Sequence, residues 1–265
     1  MRRGPPTSRP AAPRIFTPEY YAYMRELETQ SWWNAGMRDI AQILLSGASL
    51  PERGVMLDAG CGSGQTMSWF VESHPKWFAA GLDVALEGLV FAHTAGQAVT
   101  QASVLAVPIV DNGVDLVISL DVLQHLPLQG GDSAALSEFA RILRSDGTLL
   151  IRTNAQSFPR TEDDPAAAFR KYEPPELRAT VIASGFEILR MGRVNSLLGL
   201  AEIPREVRAR KEQSAGYHGI LAPSPVGGRF ATEVKRRWLN LEGRALASGW
   251  QLPFGRTIFA LCRKR

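Results

Sequence analysis

The stretch VMLDAGCGSGQTM, residues 55–67, constrains what this chain can fold into more than any other. A short apolar run leads into an aspartate, and Gly60, Gly62 and Gly64 then occupy alternate positions before helix-forming residues begin. If Val55 to Leu57 form a buried strand, Asp58 stands toward its carboxyl end, and the glycines carry the chain into a helix with no side chains to block a ligand. Amide groups at such a helix start favour an anionic group such as a carboxylate or phosphate. Glycines in a turn serve tight packing equally well, so the neighbouring segments decide between the two readings.

Those neighbours alternate. VMLDAG, AAGLDV, VDLVISL and GTLLIRT read as short buried strands with amphipathic segments between them, the pattern of a parallel sheet covered by helices on both faces. Upstream, TPEYYAYMRELETQSWWNAGMRDIAQILL opens on a threonine cap with proline at the first helical position and continues at helical spacing, which predicts two N-terminal helices. Downstream, Pro223, Pro225, Gly227 and Gly228 break the rhythm before a charged helical piece, FATEVKRRWLNLEGRALASG, and a last strand, TIFALCRK. The expected division is a disordered tail over 1–15, lid helices over 16–50, a core over 51–195, an inserted substrate-recognition subdomain over 196–253 and a closing strand over 254–265.

Asp83, in GLDVA, ends the second strand about 20 residues beyond the glycines, where a carboxylate can accept hydrogen bonds from both hydroxyls of a ribose. The glycine spacing is not the Gly-x-Gly-x-x-Gly of dinucleotide sites, and no lysine follows as a phosphate-binding loop demands. NAD and ATP therefore lose ground. Cys61 and Cys262 lie far apart, without histidine or cysteine at metal-ligand spacing, so neither a disulfide framework nor a metal site is expected. No apolar run approaches the roughly 18 residues of a spanning helix, which points to a soluble, cytoplasmic protein. The net charge of +4 permits an anionic partner but does not require one.

Taken in order, LDAGCGSG, GLDVA, VPIVDNGVDLVISLDVLQHL, ILRSDGTLLI and EPPELRATVIASGFEIL resemble the successive motifs of class I S-adenosylmethionine-dependent methyltransferases, specifically the small-molecule branch called type 11. The resemblance covers about residues 31–195. It implies an α/β, Rossmann-like, doubly wound seven-stranded mixed sheet whose last strand is antiparallel, with S-adenosyl-L-methionine as cofactor. Asp58, Ala59, Gly60, Cys61, Gly62 and Gly64 would then cradle the methionine end, and Asp83 and Val84 the ribose side. Ser103 stands where many members place an adenine-binding aspartate, and it offers a hydroxyl in place of the charge. Val104, Ser119 and Leu120 would complete the pocket wall.

A sulfonium methyl is already activated, so such a protein must mainly exclude water and align the acceptor, with a base where the acceptor is a hydroxyl. His125, in VLQHLP, falls just past the fourth strand and is the candidate base; it also suits a loop-capping histidine. Asp121 is the candidate to orient the acceptor or His125, or else a simple cap. Tyr20, Tyr21, Tyr23, Trp32 and Trp33 crowd the N-terminal helices, either as an aromatic lid touching substrate or as rings that dock those helices. Basic runs at 205–210 and 235–237 suit an anionic or lipid-like acceptor, an anionic membrane, or a solvated helix face.

The expected function is methyl transfer to a small-molecule acceptor, with oxygen slightly preferred over nitrogen or carbon because of His125. An RNA methyltransferase is the first alternative, disfavoured because the fourth strand ends in SLDV and no RNA-binding module is visible. A non-catalytic S-adenosylmethionine-binding or assembly protein is the second.

Overall fold

The computed structural model describes residues 17, 19–22, 31–156, 170–199 and 229–265. The sequence-predicted tail over 1–15, the 205–210 run, and Tyr23 all lie outside these residues. Thr17 caps a helical turn over 19–22, its hydroxyl accepting from the Tyr20 amide at 3.2 Å. Helix α1 (Trp32–Ser46) starts at Ser31, whose hydroxyl accepts from the Trp33 and Asn34 amides, the role that favours serine there.

The core then alternates as expected: β1 (Val55–Ala59), α2 (Gln65–Ser73), β2 (Phe78–Asp83), α3 (Leu86–Thr94), β3 (Ala98–Gln101) and β4 (Val114–Leu120). After a short 3-10 turn (Leu123–His125) come α4 (Gly131–Ile142), β5 (Leu143–Asn154), α5 (Pro174–Ala183), β6 (Phe186–Val194), α6 (Arg229–Ala247) and β7 (Thr257–Lys264). One seven-stranded sheet results, in the order β3-β2-β1-β4-β5-β7-β6. β7 runs antiparallel between β5 and β6; the other pairings are parallel. The mixed, doubly wound sheet implied by the family resemblance is therefore present, closing strand included.

Alternation along each central strand sends successive side chains to opposite apolar layers. Leu57, Val117, Leu149 and Ile151 face a layer completed by Leu136 and Phe139 of α4 and Leu177 and Val181 of α5. Met56, Leu116, Ile118 and Leu150 face the other, which α1, α2 and α6 cover with Ile40, Leu44, Phe70 and Leu239. β3 is a strand that the pattern did not single out. It sits at the sheet edge, and its four residues are largely exposed, so it carries no apolar signal.

Within the segment read as an insertion, the described helix α6 is a layer of the main body. It lies along α1: a Cβ on Gly36 would stand 2.4 Å from Leu239, and one on Gly243 2.9 Å from Ile40. The Arg236 guanidinium grips the Asp39 carboxylate through two hydrogen bonds of 2.6 and 2.9 Å. No described helix is long and apolar enough to cross a membrane.

Candidate active site

Ligands bind parallel sheets of this kind outside the carboxyl ends of the strands, and the glycine turn stands at the end of β1, next to β2 and β4. Gly60, Gly62 and Gly64 all have positive φ, at 88°, 50° and 82°. Gly60 needs more than that freedom: a Cβ there would lie 2.2 Å from Val122. Gly62 differs, because its nearest neighbour on that side is the Tyr21 ring at 3.6 Å. That ring covers the face on which a side chain would stand.

Ahead of the helix start, the amides within the turn itself are engaged by backbone and by Asp83. The Gly60 and Cys61 amides both donate to the Leu82 carbonyl, at 2.8 and 2.9 Å, and the Gly64 amide to the Cys61 carbonyl. The Gly62 amide donates to Asp83 Oδ2 at 2.9 Å. Three of these donors fasten the turn to β2 and the fourth closes it on itself, so what it offers a ligand is bare backbone surface. Gln97 closes it from the far side, its amide nitrogen donating to the Gly64 carbonyl and to Ser68, both at 2.8 Å. Sequence reasoning missed Gln97, which lies 33 residues from Gly64 and belongs to no local pattern.

Asp83 ends β2 with its two carboxylate oxygens fixed, Oδ2 by Gly62 and Oδ1 by the Ala85 amide at 2.9 Å. Each oxygen keeps a further lone pair for a ligand hydroxyl. Val84, next to it, is exposed, giving the cleft an apolar wall. Tyr21 closes over this floor: its ring also stands 2.7 Å from a Cβ built on Gly88 of α3, and it makes an edge contact with Tyr20 at 5.3 Å between centroids. Burial, and then the Asp83 charge, raise the Tyr21 phenol pKa well above its usual value, so it is a neutral donor at physiological pH.

Other residues singled out in the sequence support the site from behind. Asp58 and Ala59 are buried in β1. The Cys61 thiol turns away from the cleft into close contact with Gly81, where burial raises its pKa far above the ordinary thiol value and keeps it unreactive. The Ser103 hydroxyl accepts from the Leu105 amide at 3.1 Å, making a turn that holds the buried Val104. Ser119 is fully buried with its hydroxyl unpartnered, and Leu120 is partly buried beside the α1 layer.

Asp121 follows β4 in a left-handed conformation, φ 60°, and takes a two-point grip from Arg152 of β5: Nε to Oδ1 at 3.0 Å and Nη2 to Oδ2 at 2.5 Å. The Trp33 ring lies 5.2 Å from the same guanidinium, so Trp33 joins this cluster at the strand ends. Trp32 turns instead into the core, with Lys235 of α6 5.1 Å over its ring. Arg152 was not anticipated; the β4–β5 register, which sets it beside Leu120, brings it to Asp121.

His125 is exposed to solvent yet ringed by enough protein that desolvation lowers its pKa below the ordinary imidazole value, against the pull of Asp121 and Asp83. Openness together with that shielding is what a group on a cleft wall shows. Neutral imidazole is the form present at pH 7. The two carboxylates whose charge acts on His125 are Asp121, just past β4, and Asp83, at the end of β2.

Residues 57–151 match the model of a methyltransferase domain, a span that includes the glycine turn, Asp83, Asp121 and His125. Over 185 residues the chain is 26% identical to a Mycobacterium tuberculosis protein named as a probable S-adenosylmethionine-dependent methyltransferase, covering 69% of this chain and 65% of that one. Residues 57–151 thus carry a methyltransferase domain, and the chain is similar to S-adenosylmethionine-dependent methyltransferases. Its match spans about two thirds of the length of those mycobacterial relatives. A second relative, a tRNA (carboxymethyluridine(34)-5-O)-methyltransferase of Arabidopsis thaliana, is 32% identical over 39% of this chain and 24% of its own length. Among solved structures, the Haemonchus contortus phosphoethanolamine N-methyltransferase 2 in complex with S-adenosyl-L-methionine superposes with a TM-score of 0.60 at 16% identity, over 94% of this chain and 57% of that one. That likeness establishes the shared methyltransferase fold.

Proposed function

We propose that the chain transfers a methyl group from S-adenosylmethionine to a small-molecule acceptor, with a hydroxyl oxygen favoured as the atom methylated. The observation that carries this reading is the glycine turn at the end of β1, its Gly62 amide held by the Asp83 carboxylate, with His125 just past the neighbouring strand β4. Gly60 to Gly64 would hold the methionine end, Asp83 the ribose, and Val84 with the Ser103 turn the adenine side. When bound, the cofactor supplies an electrophilic methyl on a positively charged sulfur.

The protein's own work is then positional. Tyr21 covers Gly62 and excludes water, which strengthens every electrostatic contact beneath it. His125, neutral at pH 7, takes the proton of an acceptor hydroxyl as its oxygen attacks. Asp121, locked by Arg152, sets a fixed negative charge near that imidazole and stabilises the imidazolium that forms.

Transfer of labelled methyl from S-adenosylmethionine to panels of phenols, carboxylic acids and amines tests the reading. His125→Asn is expected to lower kcat at least 100-fold for a hydroxyl acceptor. An equal rate in the variant would remove the base role and favour nitrogen or carbon as the methylated atom. The partial match to a tRNA methyltransferase motivates RNA as one further acceptor in the same panel. Methylation of RNA alone would replace the small-molecule reading, and no transfer to any acceptor would favour a binding or assembly role.

A further inference from the structure

Helix α6 carries two apolar faces, and only one of them is used. Leu239, Gly243 and Leu246 face α1 and the sheet. On the other side Phe230, Val234, Trp238 and Leu241 recur at spacings of four, four and three residues, which places them on one stripe. All four are exposed, at 83%, 50%, 38% and 59%. An apolar stripe of this kind on a helix already anchored by its opposite face marks a contact surface.

Its position is fixed by three contacts along β6. Glu242 accepts from the Asn195 and Ser196 amides just past the strand's carboxyl end, Leu246 lies against Gly192, and the Ala247 carbonyl accepts from Arg190 at 2.6 Å. The helix therefore descends along the strand from Glu242 onward, and the residues before Glu242 project beyond the strand ends. At 1.5 Å per residue that projection runs for up to about 20 Å along the helix. Lys235 over Trp32 places it on the same end of the sheet as the candidate active site.

Basic residues rim the stripe. Arg237 is largely solvent-exposed and pairs with Glu233 one turn away at 3.0 Å, and Arg244 is exposed further along the same edge. The Trp238 indole N–H donates to Glu242 at 2.7 Å, so the ring is oriented while its outer surface stays in solvent. Phenylalanine, tryptophan and leucine on one face, with arginines beside them, is the composition of a helix that lies in the headgroup region of an anionic bilayer.

We propose that the projecting half of α6 docks the protein onto an anionic lipid surface, with Phe230, Val234, Trp238 and Leu241 entering the interface and Arg237 and Arg244 meeting the headgroups. Docking there sets the mouth of the cleft toward the membrane. The proposal stands independently of methyl transfer, because it concerns a surface and not the chemistry within the cleft.

Cosedimentation of the full chain with phosphatidylcholine vesicles, with and without about one third phosphatidylglycerol, is the test. Binding is expected to the mixed vesicles, at least tenfold weaker to neutral ones, and weakened by salt. Phe230→Glu with Leu241→Glu should reduce it at least tenfold, and Arg237→Glu with Arg244→Glu should erase the preference for anionic lipid. These side chains are exposed, so unchanged thermal melts by circular dichroism will show that both variants fold. Absence of cosedimentation, or binding that the Phe230 and Leu241 changes leave intact, overturns the proposal. So does a concentration-dependent dimer that the same changes abolish in the absence of lipid, which would assign the stripe to a second copy of the chain.

Discussion

Asp83 holds the glycine turn as well as facing the cleft, and its two roles can be separated. Asp83→Asn keeps one oxygen acceptor but places a donor against a backbone amide, so it should weaken S-adenosylmethionine binding and lower stability by about 1–3 kcal/mol, read from urea unfolding. Gly60→Ala probes the turn alone. Left-handed backbone costs a residue with a Cβ about 1–2 kcal/mol, and Val122 stands within 2.2 Å of the added carbon, so a larger loss is expected. For His125 the sign follows from its depressed pKa: the active, neutral form persists to pH values below the ordinary imidazole range and is lost as pH falls through the lowered value. Activity toward a hydroxyl acceptor should thus be level from pH 7 upward and fall on acidification, and His125→Asn should remove that limb. A profile still rising through pH 8 would assign the proton to another group. Gly60, Gly62, Gly64 and Asp83 were legible in the sequence because the local turn dictates their types. Gln97 and Arg152 were not, because only the folded register brings them to Gly64 and Asp121.

Between elements, two buried ionic sites join segments far apart in the chain. Glu242 on α6 is 4% exposed and receives the Asn195 and Ser196 amides, the Ser196 hydroxyl and the Trp238 indole. Glu242→Ala leaves those donors without their acceptor, at about 1–3 kcal/mol for each that stays buried, and should lower the denaturation midpoint while speeding hydrogen exchange in α6. Asp132 at the start of α4 pairs with Arg170, and the Tyr172 hydroxyl lies 3.3 Å from the same carboxylate. Asp132→Ala removes one partner of a buried pair, a change that costs about 3–5 kcal/mol and should be read in the same unfolding experiment. A loss below 1 kcal/mol would mean that water reaches Arg170 there. Helix α6 shows how far pattern reading extends. Its helical spacing was plain, but its partner α1 begins nearly 200 residues earlier, so its place as a core layer emerged only from the Gly36 and Gly243 contacts.

At the scale of the whole molecule, one sheet aligns the ends of β1, β2 and β4 into a single cleft wall, and β7 completes that sheet from the far end of the chain. Because β7 pairs with both β5 and β6, ending the chain before Thr257 would strip two strands of their partner and expose Phe259 and Leu261 contacts on the α1 side. Such a truncation is expected to be insoluble or to lack a cooperative melt. The strand rhythm was legible because central strands are apolar on both faces. The edge strand β3 escaped because its residues face water. The central claim is that the glycine turn and Asp83 bind S-adenosylmethionine, and calorimetric titration of the intact chain with that cofactor and its demethylated product tests it most directly. The account predicts low-micromolar, one-to-one binding of both ligands, at least tenfold weaker for Asp83→Asn. Absence of binding by either ligand to the folded chain would contradict it.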